Sequence, residues 1–428
     1  MRSSILFVSV LLFAGCAETE QHFENTELKA ASADAVFLDF EWKGQVQTDA
    51  CYAHHTAIEQ QVLYTIGQLN GHRSVGRIDR LQVENVDAVP NEASGGCDIT
   101  YSAKMLVAWG NLTNIPYTFE FIFPRHTSWD GAESFTEKYK DKCVDWNAHD
   151  VDVNVFWYYY RPEKSACKFD DEDVYRIPAT VTPSDAQTKG KYPEYDKVWE
   201  DKAFETVAIF GMAKEGGDHT DVGARGYHRF ANKVLNALAD DFVETEPTDL
   251  KAQLAGNGAL PEHWVIRAER RDGRKVVVNG FMVDSIQSAD EDFWQSYEAL
   301  TPSADYIIYN GHSGLGSNIR KLAGKGVWKT GQYAIVFMNG CDTYAYLDSA
   351  LADAHAAVNE DDPEGTKYLD IVANAMPSMF IDMPDATMAI FNGLMSYNAP
   401  MTYEAILDNI SAYEVALVTG EHDNTYTP

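Results

Sequence analysis

Two stretches decide the fold: ADYIIYNGHSGLG at residues 304–316 and YAIVFMNGCDTYAY at residues 333–346. The apolar runs Tyr306–Tyr309 and Tyr333–Met338 have the length and residue types of buried strands. Each breaks at Asn-Gly and then presents one reactive side chain, His312 in the first and Cys341 in the second. Parallel strands of an open α/β sheet align their C-terminal ends along one edge, where ligands bind. If these two strands are neighbours, an imidazole and a thiol face each other at that edge. A thiol becomes a nucleophile when a base lies within reach or its pKa is lowered.

Outward from these strands, the second half alternates strand and helix signals. Thr206–Phe210 reads as a strand, Gly211–Gly226 as a Gly/Asp loop, and Tyr227–Phe242 as a helix through Phe230, Val234 and Leu238. Trp264–Ala268 and Lys275–Asn279 flank Asp272-Gly273, a hairpin signal. Ala289–Leu300, Tyr344–Val358 and Tyr368–Met376 read as helices, and Thr387–Phe391 as a buried strand ending at Asn392-Gly393. The alternation predicts an α/β domain over residues 204–428, with a mostly parallel sheet between flanking helices.

The first half has a different rhythm. Ile58, Val62, Ile66 and Leu69 give helical spacing over Ala53–Leu69, and Ala132–Tyr139 reads as a short helix. Ile78–Val86, Ile99–Trp109, Tyr117–Phe123 and Val155–Tyr160 read as strands, so residues 36–177 are expected to form an α+β domain. Three prolines within Pro178–Pro193 mark residues 178–203 as a linker.

Composition narrows the function classes. A hydrophobic content of 45% is enough for real cores, and 34 basic against 65 acidic residues leave a net charge of −31. That charge argues against nucleic acid and against an anionic membrane surface as partners. Solubility is its simplest cause; a saline habitat or basic substrates would also suit it.

The N-terminus carries Arg2, the apolar run Ile5–Phe13 and the small pair Ala14-Gly15. Phe13-Ala14-Gly15-Cys16 resembles a bacterial lipoprotein signal, which implies that Cys16 is lipidated and that residues 1–16 direct export. Residues 17–35, polar and rich in Glu, Ala and Ser, then suit a flexible tether. The expected location is the cell envelope, anchored in the outer membrane, or secreted, with a membrane touched only through the lipid.

Setting Cys16 aside leaves five of the six cysteines in an oxidising compartment. Cys51, Cys97, Cys143 and Cys167 allow three connectivities. Cys143 and Cys167 bracket the expected strand at residues 154–160, which favours pairing them, and Cys51 with Cys97. Cys341 is left over, alone in the second half.

Tyr306–His312 and Ile335–Cys341 together resemble the signature of the caspase–gingipain–legumain group of cysteine peptidases. In that group a hydrophobic strand ends in His-Gly, and a later one ends in the nucleophilic cysteine. The resemblance spans roughly residues 204–410. It implies a caspase/gingipain-like fold and an endopeptidase acting on protein or peptide substrates; no cofactor or metal site is read from the sequence, which leaves a calcium requirement open. Cys341 would attack the scissile carbonyl, His312 would act as general base and acid, and the backbone N–H groups of Cys341 and Gly314 would hold the oxyanion. This chain departs from the group at Ser313, which moves the glycine one place on. The resemblance also puts the specificity pocket on the loop after the first strand and on the late strand. Asp218, Asp221, Arg225, Asn392 and Gly393 are the substrate-binding candidates there: Arg225 suits an acidic side chain, Asp218 or Asp221 a basic one.

Two other readings use the same residues. Gly311-His312-Ser313-Gly314-Leu315 resembles the nucleophile elbow of serine hydrolases, with His355 or His422 as base, but Leu315 stands where the elbow needs glycine. Alternatively, the chain is a non-catalytic surface-binding lipoprotein on a peptidase-like fold. His54, His55 and Glu59 lack a third partner at ligand spacing and read as a solvated helix face. The acidic runs Asp170–Asp173 and Glu360–Glu364 read as solvated loops.

Overall fold

The computed structural model describes residues 29–428 apart from 93, 94, 257 and 412, so the signal, Cys16 and most of the tether lie outside the described residues. Its strands in chain order are β1 (Ala30–Ser32), β2 (Val36–Thr48), β3 (Ser74–Gly76), β4 (Gln82–Asn91), β5 (Gly96–Trp109), β6 (Thr118–Pro124) and β7 (Val174–Pro183). There follow β8 (Ala203–Gly211), β9 (Phe242–Glu246), β10 (His263–Glu269), β11 (Lys275–Val283), β12 (Tyr306–Asn310), β13 (Ala334–Asn339), β14 (Leu369–Asn374) and β15 (Ala416–Thr419). They form two sheets.

The smaller sheet, β2 to β7, is antiparallel throughout. In β2 the buried Phe40, Trp42, Gly44 and Val46 alternate with the exposed Glu41, Lys43 and Gln45, the period of a strand with one face in the core. That core takes in the helix His54–Asn70 through Ile58, Val62, Ile66 and Leu69. Disulfides join Cys51 to Cys97 and Cys143 to Cys167, the pairing expected above. The second closes a loop of sequence separation 24, so Cys143→Ser with Cys167→Ser is expected to cost about 3 kcal/mol, read as a lower urea midpoint.

The larger sheet has the order β1-β15-β14-β13-β12-β8-β11-β10-β9. Its central pairings, from β14 across to β11, are parallel, and the outer four are antiparallel. The sheet is therefore mixed rather than mostly parallel. The hairpin at Asp272-Gly273, with Gly273 at φ +81°, folds β10 back on β11, and β15 returns beside β14. Along β12 and β13 alternate side chains enter two cores. Ile307, Tyr309, Val336 and Met338 share one with the smaller sheet; Tyr306, Ile308, Ile335 and Phe337 pack with the helices Val222–Ala237 and Met383–Met395. The two halves of the chain thus share one apolar core.

Several sequence expectations are corrected. Ala30–Ser32, assigned to the tether, is edge strand β1 paired with β15. Residues 178–183 belong to β7, and Tyr195, Val198 and Trp199 are buried in the second core, so the supposed linker is built into both sheets. Residues 156–159 are a helical turn rather than a strand. Aromatic composition suggested a strand there; the turn instead packs closely on the helix His54–Asn70, where a Cβ on Gly67 would lie 2.4 Å from the Trp157 carbonyl. Tyr368–Met376 contains β14 instead of a helix, and Thr387–Phe391 lies inside the helix Met383–Met395. Short apolar runs do not separate buried helix from buried strand by periodicity. Tyr344–Val358 splits into a 3-10 turn, Thr343–Tyr346, and a helix, Ala350–Ala356.

At the start of β14, Asp370 is 0% exposed and accepts from Asn424 Nδ2 (2.8 Å) and the Tyr333 and Tyr403 hydroxyls. Burial raises its pKa from 3.8 to about 7. The folded state therefore holds this proton more tightly than the unfolded one, and the resulting stability falls as pH rises through that window. Asp370→Asn should be more stable than wild type at pH 8, by on the order of 2 kcal/mol, with the difference gone near pH 4 in urea titrations.

Candidate active site

The C-terminal ends of β12, β13 and β14 are tied by asparagines. Asn339 Nδ2 donates to Asn310 Oδ1 (2.8 Å), Asn374 Nδ2 to Asn339 Oδ1 (3.1 Å), and the Ser378 and Thr387 hydroxyls complete the buried ladder. The repeated Asn-Gly break is thus a lock across the sheet edge. Asn310 and Asn339 are register partners, so the turns that follow emerge side by side. A Cβ on Gly340 would lie 2.7 Å from the Gly311 carbonyl, so glycine is what lets these turns touch.

His312 stands on the first turn and is exposed. Its Nε2 meets the Ala213 carbonyl at 3.1 Å, and its ring packs edge-on against Phe380 at 5.1 Å. A carbonyl only accepts, so Nε2 carries the proton and Nδ1 is left as the acceptor. Asn318 Nδ2 and the Tyr309 hydroxyl hold the His312 carbonyl.

Cys341 stands on the second turn and is the free cysteine among the described residues. Its thiol donates to the Ser378 carbonyl at 3.5 Å, so the segment containing Ser378 and Phe380 runs over both side chains. The thiol turns to Ser378 and the imidazole to Ala213. Burial, and then the neighbouring Asp342, push the thiol up to about 11, while the Tyr158 hydroxyl and the Ser378 backbone act the other way. Tyr158 comes from the first half of the chain, on the turn that Gly67 admits.

A cavity of about 900 Å³ opens at the ends of β8 and β11, and its lining reaches Met212, the chain neighbour of the Ala213 whose carbonyl holds His312. Met212, Asp218, Arg225, Glu262 and Asp284 line it, with His219 and His228. Asp218 and Arg225 were legible as candidates; Glu262 and Asp284 were not, because only the sheet order brings β10 and β11 beside β8.

Comparison with family models, with characterised proteins and with solved structures found no match. The site is therefore read from its own geometry.

Three substrate-binding candidates take other roles. Asp221 caps the helix Val222–Ala237, its carboxylate accepting from the N–H groups of Gly223, Ala213 and Lys214. It thereby fixes the residue whose carbonyl orients His312. Asn392 and Gly393 lie near the far end of the helix Met383–Met395, with the Gly393 carbonyl accepting from Tyr195 and its Cα against Ile406, away from the cavity.

The turn after His312 is unusual: Gly314, Leu315 and Gly316 have φ of +58°, +52° and +81°. Leu315 pays a steric cost in that region, and its side chain is 52% exposed. Ser313 itself has ordinary helical angles, φ −66° and ψ −29°, unlike the strained serine of an elbow. His355 is buried against Trp328, and His422 follows β15 at the opposite edge of the sheet, so neither serves Ser313. Among the described residues no cluster of three His, Cys, Asp or Glu side chains forms a metal site.

Proposed function

We propose that this chain is an exported, lipid-anchored cysteine endopeptidase of caspase/gingipain-like type. The observation that carries the reading is that His312 and Cys341 end two adjacent, in-register parallel strands at the ligand-binding edge of the sheet. Turned from Ser378 towards His312, the thiol gives its proton to Nδ1 and attacks the scissile carbonyl. The imidazolium then protonates the leaving amine, and water, deprotonated by the same nitrogen, hydrolyses the thioester. The N–H groups of Cys341 and Gly314 are the donors for the oxyanion. The Ala213 carbonyl serves as the third group, which orients the base. The adjoining cavity accepts one substrate side chain.

The second reading is a binding lipoprotein on the same scaffold. It is favoured by the thiol and imidazole being turned to different carbonyls. A mixed peptide library tests both: the folded protein lacking residues 1–16 should release new termini at a restricted set of side chains. A folded protein that binds peptides without cleaving them would favour the second reading.

A further inference from the structure

Asp342, directly after Cys341, has no evident reason to be a carboxylate. It is 0% exposed, sits at φ +51°, and carries its charge next to the residue that must become a thiolate. Its Oδ1 accepts from Asn70 Nδ2 at 2.8 Å, and the Tyr158 hydroxyl, also from the first half of the chain, is the second group that favours its charge. Asn70 is the last residue of the helix His54–Asn70, in the disulfide-stapled half of the chain. The same half grips the rest of this turn. Arg77, 1% exposed, bonds the Leu347 carbonyl and stacks 5.2 Å from the Tyr344 ring, and Phe37 packs on Tyr344 at 6.2 Å.

We propose that Asp342 is a charge latch that holds the Cys341 thiol protonated, and that the N-terminal half sets this latch through Asn70. The two halves share a core and a sheet edge, so this half packs directly on the turn that carries Asp342. A like charge disfavours ionisation of its neighbour, and the thiol rests raised to about 11, with Asp342 the largest contributor after burial. Asn70 stabilises the charged carboxylate, whose own pKa burial raises to about 6. The ionisable groups around the pair are Tyr158, Tyr346, Tyr159, Arg161 and Glu414. None supplies a cation in contact with the thiol.

The proposal rests on Cys341 being the reactive thiol, but its test reads thiol chemistry and not peptide cleavage, so the two can fail separately. Alkylation of the folded protein by iodoacetamide would be followed from pH 6 to 11, for wild type, Asp342→Asn and Asn70→Ala. Asp342→Asn should lower the midpoint of the rate profile by about one unit, giving about tenfold faster labelling at pH 7.5. Asn70→Ala should leave that midpoint in place, because the carboxylate is ionised at such pH, but should speed labelling several-fold near pH 7, where the carboxylate without this donor takes up a proton, and should add nothing in the Asp342→Asn background. If Asp342→Asn does not fold, the rate of Asn70→Ala near pH 7 decides alone. An unchanged midpoint in folded Asp342→Asn, or an unchanged rate near pH 7 in folded Asn70→Ala, would overturn the latch and leave Asp342 with a role in holding the turn only.

Discussion

Cys341→Ala is expected to lower kcat/KM for peptide cleavage by at least about a thousandfold while leaving the fold intact. A nucleophile has no substitute, and what survives its removal in a hydrolase comes from binding and the oxyanion donors alone. The sulfur meets the Ser378 carbonyl and the Tyr158 hydroxyl, and Cys341 lies on a turn outside the strands, so little stability depends on it. His312→Ala should lose about a hundred- to ten-thousandfold, the usual contribution of general acid–base catalysis. Ser313→Ala should stay within a few-fold, since its backbone is unstrained and neither His355 nor His422 reaches it. Progress curves on one peptide, with circular dichroism to verify folding, check all three.

Arg77→Ala is expected to be the most destabilising single change at the junction of the two halves, by about 3–5 kcal/mol. Arg77 Nε donates to Asp79 Oδ1 at 3.0 Å, and the guanidinium also holds the Leu347 carbonyl. Truncation leaves a carboxylate that is only 10% exposed with Arg80, at 3.6 Å, as its remaining cation, leaves a buried carbonyl unmet and takes the cation from the face of Tyr344. Burial already raises the pKa of Asp79 and Arg77 opposes that rise, so the acid would gain a proton more readily without it. Arg77→Lys should recover part of the loss, because one ammonium cannot serve the carboxylate and the carbonyl with a planar fork. A fall in the urea midpoint together with faster alkylation of Cys341 would show that the clamp on residues 341–347 had loosened.

The sheet edge that carries His312 and Cys341 was the most legible part of the chain. Tyr306–His312 and Tyr333–Cys341 are short, β-branched or aromatic, and end in turn residues, so strand, break and side chain were all readable locally. The disulfides followed from counting cysteines. What was not legible depended on tertiary partners. β2 is the exception, since Phe40, Trp42 and Val46 alternating with Glu41, Lys43 and Gln45 are a readable strand period that the sequence reading does not use. β14 and the helix Met383–Met395 were exchanged because each is a short apolar stretch whose type is set by what it packs against. The role of Asp342 was invisible for a related reason: its partner Asn70 lies 272 residues away. Asp221 was misread because the one-letter sequence does not distinguish a helix cap from a specificity carboxylate.

The central claim is that Cys341 and His312 react as a pair. The most direct measurement is covalent trapping by a peptide chloromethyl ketone, with the adduct located by mass spectrometry and its rate compared between wild type and His312→Ala. The account predicts a single adduct on Cys341, formed at least about a hundredfold more slowly without the imidazole. No adduct on folded protein, or equal rates with and without His312, would contradict it.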